Sequence, residues 1–324
     1  MARDVGPRRL LRRQVWPVAG LASGLLLVTV ATVTIVGLPG STSPSGGDAT
    51  TTPGSATGAA GTGATSAAAS ATVAPTPSKT ATPKPPSVAA PARFTTLRPG
   101  AKLPSGAQCA AWVRTRSYPE SKGANRNANQ KTGHHLNANF FSGDDPKANS
   151  VIAPRVDGQF TGTTRQILRW AACKWGIDED LVLAQAAVES WWQQGTLGDW
   201  TADGARCAPG RGLGADGKPG QCPESFGILQ NRYPYEQSAW PGIANSTAMN
   251  ADVAYAIWRT CFEGHEGWLN TVERGRQYSA GDAWGCIGRW FSGRWHTPAG
   301  EEYVGRVRGY LDQRIWETPN FQQP

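Results

Sequence analysis

A long run of small and turn-forming residues limits how much of this chain can fold. All but five of residues 39–92 are Ala, Thr, Ser, Pro or Gly. Such a segment has too few apolar side chains to offset the conformational entropy lost on folding, so we expect a disordered linker. As a flexible coil its ends would lie roughly 40 Å apart. A packed core must therefore come from the residues that follow, starting near Arg93.

The segment before this linker has the composition of a membrane anchor. Residues 1–16 carry five arginines and one aspartate, and no charged residue occurs from Val18 to Leu38. A helix over 17–38 can cross a bilayer core of about 30 Å, and the arginines favour a cytoplasmic N-terminus. We therefore expect a cytoplasmic basic tail at 1–16, a single-pass transmembrane signal anchor at 17–38 and an extracytoplasmic C-terminal part in the cell membrane. The alternative is a cleaved signal peptide, which would make the protein secreted.

The positive charge of the chain is unevenly distributed. Half of the formal net charge of +8 comes from residues 1–38. The surplus after the anchor is too small for a nucleic-acid-binding surface, although it favours loose attraction to anionic wall polymers. We therefore expect a membrane partner through the N-terminal helix and no nucleic-acid partner.

The residues after the linker predict an irregular arm followed by a helical domain. Residues 93–160 are rich in Asn, Gly and Pro, which predicts an irregular N-terminal arm. Few alternating stretches occur after it, so we expect a mainly α-helical domain with long ordered loops over 161–318. Capping residues and helical spacing predict five helices there. The first helix is expected to start at Thr163–Thr164 and to stop at Gly176, and the second to start at Asp178 and carry Glu189. The third is expected to start at Asn250, the fourth to cover 284–291 and the fifth to cover 302–315.

All six cysteines lie on the predicted extracytoplasmic side: Cys109, Cys173, Cys207, Cys222, Cys261 and Cys286. An even count in an oxidising compartment predicts three disulfides, for which the sequence alone allows fifteen pairings. A Cys207–Cys222 bridge would close a glycine-rich loop and stabilise the fold by about 3 kcal/mol. Cys261–Cys286 would then join two helices, and Cys109–Cys173 would fix the arm. No Cys-x-x-Cys or spaced His pair suggests zinc, and we expect no metal and no cofactor.

Glu189 is the candidate catalytic acid. It ends a largely apolar helix and is followed closely by Trp191 and Trp192. Desolvation among aromatic rings favours the protonated form of a carboxyl group, which a general acid working near neutral pH requires. The alternative is a solvated glutamate in the last turn of a helix, although the helix dipole disfavours negative charge at that end.

Four motifs around Glu189 occur in a characteristic order. Glu189-Ser190 ends an apolar helix, Ser225 to Gln230 reads SFGILQ, Trp290 to Gly293 reads WFSG, and Tyr303-Val304 follows. In this order they resemble the soluble lytic transglycosylase and goose-type lysozyme superfamily. The resemblance covers about 155–315 and implies a mainly α, lysozyme-like catalytic domain with long disulfide-stabilised loops, preceded by a transmembrane helix and a disordered linker.

The resemblance implies cleavage of a cell-wall glycan, with peptidoglycan as the first choice. Glu189 would protonate the glycosidic oxygen and then take a proton from the sugar's own 6-hydroxyl, which closes a 1,6-anhydro ring without a second carboxylate. Ser225 and Gln230 would hydrogen-bond sugar hydroxyl or acetamido groups, and Tyr303 would orient Glu189 or the sugar.

The chain departs from the family pattern in three places. The gap from Glu189 to Ser225 is enlarged by the loop between Cys207 and Cys222, and Pro223-Glu224 replaces the usual Gly-Ala. Trp290 stands where the third motif has a tyrosine. Because an indole has no hydroxyl, we expect Trp290 not to hold Glu189 in the same way.

Two other functions remain open from the sequence. A glycoside hydrolase acting on another envelope polysaccharide, inverting or retaining, would need a second carboxylate. Asp199 is the first candidate for that role, and Asp203 and Glu224 are weaker ones, since turn or surface acids explain all three. An inactive glycan-binding module is the other alternative.

Several aromatic side chains are candidates for sugar binding, because flat rings stack on the apolar faces of sugars. Most of the 14 Trp are expected in the core, since Trp is usually highly buried. His296 is the one histidine considered for the active site. The tryptophans considered as sugar-stacking residues are Trp191, Trp192, Trp200, Trp290 and Trp295.

Overall fold

The computed structural model describes residues 89–141, 145–271, 274 and 277–322. They belong to one unit, Ser87–Pro324. The predicted anchor at 17–38 and the linker up to residue 88 lie outside the described residues. Within the described ranges no helix is both long and apolar enough to cross a membrane.

The described chain is mainly α-helical, which confirms that part of the predicted fold class, and it adds a small sheet. Its helices are α1 Gly106–Val113, α2 Thr164–Trp175, α3 Glu179–Ser190, α4 Gly242–Asn245, α5 Thr247–Phe262, α6 Ala283–Ser292, α7 Pro298–Asp312 and α8 Pro319–Gln322. Its strands are β1 Leu197–Thr201, β2 Cys222–Phe226 and β3 Asn231–Arg232.

Capping residues fix the ends of the two helices that precede the site. Thr163 forms a capping box with Gln166 at the start of α2, and Gly176 ends that helix in the left-handed conformation with φ 58°. The Asp178 side chain accepts hydrogen bonds from two backbone N–H groups at the start of α3. These signals were present in the sequence, and the predicted boundaries of α2 and α3 are confirmed.

Two predicted helix starts were too late. Helix α5 begins at Thr247 rather than Asn250, because Ser246 caps it and accepts from the backbone N–H of Met249. Helix α7 begins at Pro298 rather than residue 302, because Thr297 caps it and proline stands at the first helical position. A proline at the first helical position loses no hydrogen bond, because the backbone N–H of that position has no partner within the helix. The helix can therefore start before its apolar stripe does. It also ends at Asp312, short of the predicted residue 315.

Helix α5 lies at the centre of the fold. All of its residues are buried, as expected of a helix surrounded on every side by protein. Helices α2 and α6 pack against α5, while α3 packs against α2 and α7, and α6 packs against α7. This arrangement brings the end of α3, the end of α6 and the first turns of α7 to one place.

The sheet was not predicted. Strands β1, β2 and β3 form an antiparallel sheet in that order. Gly198 pairs with Ser225, and Ser225 also pairs with Arg232. The strands are short, and every residue of β2 is buried, so no polar–apolar alternation marks them in the sequence. The sheet places Asp199, Ser225 and Arg232 side by side.

Three disulfides hold the described chain together, and they join the three pairs expected from the sequence: Cys109–Cys173, Cys207–Cys222 and Cys261–Cys286. The first ties α1 to α2, so the N-terminal arm contains a covalently fixed helix. The last joins α5 to α6. Such bridges are typical of an oxidising compartment.

A thiol titration tests this pattern. Unfolded, unreduced protein is expected to expose no free thiol, because every cysteine is bridged. The measurement is titration with a chromogenic disulfide reagent in denaturant, with reduced protein as the control that should yield six thiols. Two or more free thiols before reduction would contradict the three bridges.

Candidate active site

Glu189 stands in the last turn of α3, where the chain leaves the helix abruptly. Trp191 ends the helix in the left-handed conformation with φ 56°, and Trp192 follows with φ 62°. Such values are uncommon for bulky residues and mark a constrained turn. The hydroxyl of Ser190 donates to the Ile228 carbonyl at 2.8 Å. The end of α3 is therefore anchored to the loop that follows β2.

Two aromatic side chains act on the Glu189 carboxyl group. The Tyr303 hydroxyl, from α7, donates to Glu189 Oε1. The Trp290 side chain, from α6, lowers the pKa of the same carboxyl group, as a hydrogen-bond donor does. An indole N–H is a different donor from a tyrosine hydroxyl, so the expectation that Trp290 does not hold Glu189 in the same way stays a prediction. Tyr303 is 1% exposed, so its hydroxyl belongs to a largely dry site.

Burial sets the protonation of this carboxyl group. Although Glu189 as a residue is partly exposed, desolvation of its carboxyl raises the pKa to about 7. The hydrogen bonds from Tyr303 and Trp290 oppose that rise in pKa. The negative charge of Asp199 adds to it, and the positive charge of Arg306 reduces it. Near neutral pH the carboxyl therefore retains its proton in a substantial fraction of molecules.

Asp199 presents a second carboxylate from the sheet. Its backbone is left-handed, with φ 48°, and it stands in β1 between Gly198 and Trp200. The Ser225 hydroxyl donates to Asp199 Oδ2, and Arg232 Nε lies 3.3 Å from the same oxygen. The side chain is 53% exposed, so it is oriented by the sheet yet open to solvent. Its negative charge raises the pKa of the Glu189 carboxyl group.

The two weaker acidic candidates have structural partners. Glu224 is 4% exposed and forms ion pairs with Arg206 and Arg232. Burial alone would raise its pKa, but the two arginines outweigh burial and lower it. Asp203 accepts from the backbone N–H of Ala205 at 3.0 Å, as a turn acid does. Glu224 is therefore an ion-pair residue of the sheet, and Asp203 is a turn residue.

The predicted sugar-binding pair Ser225 and Gln230 lies at the same sheet. Ser225 is 1% exposed, and its hydroxyl proton is used by Asp199. Gln230 adopts φ 52°, and its Nε2 donates to the carbonyls of Thr196 and Gly227 at 3.2 and 2.8 Å. Both side chains make hydrogen bonds within the sheet and its turns, and their contact with a sugar stays a prediction.

Two of the five candidate tryptophans belong to the core instead. Trp192 is 1% exposed, and its Nε1 donates to the Leu183 carbonyl at 2.9 Å. Trp295 is also 1% exposed and packs edge-on against Tyr278 at 5.0 Å. Rings this deeply buried cannot stack on a sugar, so both predictions are corrected. The sequence could not reveal this, because burial depends on tertiary packing.

The remaining tryptophans are partly exposed. Trp191 packs against Tyr310 and Phe321, with ring centroids 5.9 and 4.6 Å away. Trp200 carries Lys218 Nζ over its ring at 4.2 Å. A role for these rings in sugar binding stays a prediction, whereas the Trp290 side chain lowers the pKa of the Glu189 carboxyl group.

Three side chains around Tyr303 were not among the predicted site residues. Phe291 is 51% exposed and stacks on the Tyr303 ring at 4.9 Å and 5°. Arg306 lies over both rings, 5.4 and 5.5 Å from their centroids. Gln185 lies one turn before Glu189 and opposes the rise in the pKa of Tyr303, as a nearby hydrogen-bond donor does. The i, i+4 spacing of Gln185 and Glu189 was a usable signal, since such residues share a helix face.

His296 links the starts of α6 and α7. Its Nε2 lies 2.7 Å from Asp282 Oδ2 and its Nδ1 lies 2.5 Å from Glu301 Oε1. Burial lowers the pKa of His296, but the hydrogen bonds to Glu301 and Asp282 outweigh burial and raise it. Both ring nitrogens donate only in the charged form. His296 is therefore a helix-joining residue rather than a member of the hydrogen-bonded set at Glu189.

This bridge predicts a pH-dependent stability. A histidine whose pKa is raised by folding stabilises the protein fully below its unfolded pKa of about 6.5, and the gain is lost as pH rises through the folded pKa. Wild-type protein should therefore exceed His296→Gln in free energy of unfolding at about pH 6, with the difference shrinking by about pH 9. Denaturant titrations of both proteins at the two pH values provide the measurement. A difference that grows with pH would contradict the bridge.

Within the part of the chain that the structure describes, no group of three or more His, Cys, Asp or Glu side chains could hold a metal ion. The side chains that act on the Glu189 carboxyl group include a hydroxyl, an indole and a second carboxylate. Comparison with protein-family models, with curated proteins and with solved structures finds no match to this chain.

Proposed function

We propose that this protein cleaves a cell-wall glycan, with Glu189 as the general acid. The observation that carries the proposal is a carboxyl group with a pKa of about 7, raised by burial and held by Tyr303 and Trp290. An acid tuned this way is protonated when the substrate binds and can still release its proton. The four sequence motifs support a lysozyme-like fold for the domain at 161–318.

The first chemistry we propose is that of a lytic transglycosylase. Glu189 donates its proton to the glycosidic oxygen as the bond to the anomeric carbon breaks. The resulting carboxylate then accepts the proton of the sugar's 6-hydroxyl, whose oxygen attacks the anomeric carbon and closes a 1,6-anhydro ring. The proton count balances on one carboxyl group, so the same residue ends the reaction protonated.

Hydrolysis is the second candidate, and one observation favours it. The Asp199 carboxylate is exposed, oriented by Ser225 and Arg232, and close enough to Glu189 to influence its pKa. A glycoside hydrolase uses such a second carboxylate either to activate water or to attack the sugar. In that reaction Asp199 would be the base or nucleophile and Glu189 would remain the acid.

Product analysis tests the proposal and separates the two reactions. The purified protein is incubated with peptidoglycan, and the fragments are identified by mass spectrometry. Anhydro ends with a largely active Asp199→Asn variant are the expected result. Reducing ends, together with loss of roughly 10²–10⁴-fold of the rate in Asp199→Asn, would establish hydrolysis instead. No fragment release with retained binding to cell walls would indicate a glycan-binding module.

We also propose that the enzyme works at the outer face of the cell membrane. The uncharged segment at 17–38 would anchor it, and the linker would let the domain reach the wall. The three disulfides fit an extracytoplasmic location. Cell fractionation distinguishes the anchored protein in the membrane fraction from a protein secreted after cleavage near residue 38.

A further inference from the structure

Gln185 is a buried polar residue on an otherwise apolar stretch of α3. It is 2% exposed, and its neighbours from Leu181 to Ala187 are all buried as well. Burying an amide costs free energy unless its hydrogen bonds are satisfied. Gln185 Oε1 has no hydrogen-bond partner among the described residues. Its presence therefore calls for a reason other than packing.

The amide group faces the hydroxyl that holds the candidate acid. Gln185 precedes Glu189 by four residues, so both side chains lie on one face of α3. The Gln185 side chain acts on the Tyr303 hydroxyl and opposes the rise in its pKa, as a nearby N–H donor does. That hydroxyl donates to Glu189 Oε1. Because it has one proton and gives it to Glu189, its oxygen is left to accept a hydrogen bond from the Gln185 N–H.

We propose that Gln185 is a positioning residue, which fixes the Tyr303 hydroxyl so that its proton points at Glu189 Oε1. A directed relay then runs from the Gln185 amide through the Tyr303 oxygen to the carboxyl group. With Oε1 held as an acceptor, the transferable proton of Glu189 resides on Oε2. Gln185 thus acts through Tyr303 and touches no reacting atom.

The relay has an energetic consequence for the acid. A hydroxyl that accepts one hydrogen bond becomes a stronger donor in the next. The Gln185 amide therefore helps Tyr303 stabilise the Glu189 carboxylate after the proton has left. Without Gln185 the hydroxyl is free to turn, and the carboxylate is less stable. This inference rests on the proposed function for its catalytic meaning but not for its physical test.

The physical test uses the full chain with ¹⁵N-labelled glutamine side chains. The Gln185 amide resonance, assigned by its absence in Gln185→Met, should shift with pH in wild-type protein at the midpoint of the Glu189 titration, about 7. The shift should vanish in Tyr303→Phe, which removes the connecting hydroxyl. A Gln185 resonance that is insensitive to pH in wild-type protein, or that responds equally in Tyr303→Phe, would overturn the relay.

Kinetics give a second readout. In Gln185→Met we expect kcat to fall roughly tenfold with KM nearly unchanged, and the alkaline limb of the pH profile to move upward. Gln185→Met combined with Tyr303→Phe should be no slower than Tyr303→Phe alone. The matched control is Gln193→Met at an exposed glutamine just after α3, which should retain wild-type rates. Additive losses in the double variant would refute the relay.

The two measurements distinguish a failure of the Gln185 relay from a failure of the proposed glycan cleavage. If wild-type protein releases no glycan fragments while the Gln185 resonance still follows the Glu189 titration through Tyr303, the relay stands and the proposed function fails. If fragments are released but the resonance does not respond, the function stands and the relay fails. If Gln185→Met does not fold, the amide measurement still tests the relay, because it needs only wild-type and Tyr303→Phe protein. The Gln185 resonance is then identified by assigning the resonances of the other glutamines.

Discussion

Replacing Glu189 with glutamine is expected to reduce glycan cleavage by roughly 10²–10⁴-fold. Glutamine keeps the size of the side chain and can still accept a hydrogen bond from Tyr303. It carries no acidic proton, so the glycosidic oxygen would leave without protonation. The measurement is the initial rate of fragment release from peptidoglycan by the variant and by wild-type protein.

A matched control distinguishes this loss from general damage. Asp312→Asn removes an exposed carboxylate from the end of α7, the helix that also carries Tyr303. Wild-type rates are expected for Asp312→Asn, and an unchanged melting temperature is expected for Glu189→Gln. Full activity in Glu189→Gln would remove Glu189 from the mechanism.

Replacing Asp252 with alanine is expected to produce the largest loss of stability. Asp252 is fully buried in α5, where its Oδ2 accepts from Lys174 Nζ at 2.7 Å and its Oδ1 accepts from Trp175 Nε1 at 2.8 Å. Oδ2 also accepts from the backbone N–H groups of Asp157 and Gly158. Removing one partner of a buried ion pair leaves an uncompensated charge and costs about 3–5 kcal/mol.

Denaturant unfolding of Asp252→Ala and wild-type protein measures this loss. Asp157→Asn is the comparison, because Asp157 also contacts Lys174, at 2.8 Å, but its side chain is 26% exposed. A smaller loss is expected there, since water can replace part of the interaction. Equal losses in the two variants, or less than about 1 kcal/mol for Asp252→Ala, would show that the buried pair does not hold the helices together.

The helical part of the fold followed from local signals. The ends of α2 and α3 are set by hydrogen bonds and backbone conformations that depend only on nearby residues, at Thr163, Gly176 and Asp178. Such helix ends can therefore be predicted from the sequence. The sheet was missed because β2 is buried on both faces and carries no alternation. The pairing of β1 with β2 also joins residues more than twenty positions apart, such as Gly198 and Ser225.

The candidate site was predictable only where chemistry and spacing coincide. Glu189 was identified because it ends an apolar helix beside two tryptophans, where desolvation favours the protonated form, and because four motifs occur in a characteristic order around it. The action of Trp290 on its carboxyl group was harder to assign, since an indole N–H is a different donor from a tyrosine hydroxyl. Trp192 and Trp295 were misassigned because an aromatic ring that lines a cleft and one that fills a core look alike in a sequence.

The pH dependence of cleavage tests the role of Glu189 most directly. With a soluble glycan substrate, kcat/KM reports the protonation of the free enzyme. Because Glu189 must be protonated to act and its pKa is about 7, activity should fall as pH rises through that value, and Tyr303→Phe should move the fall to higher pH. A profile whose alkaline limb lies near the ordinary glutamate pKa of about 4.3, or which shows no alkaline limb, would contradict a buried general acid at Glu189.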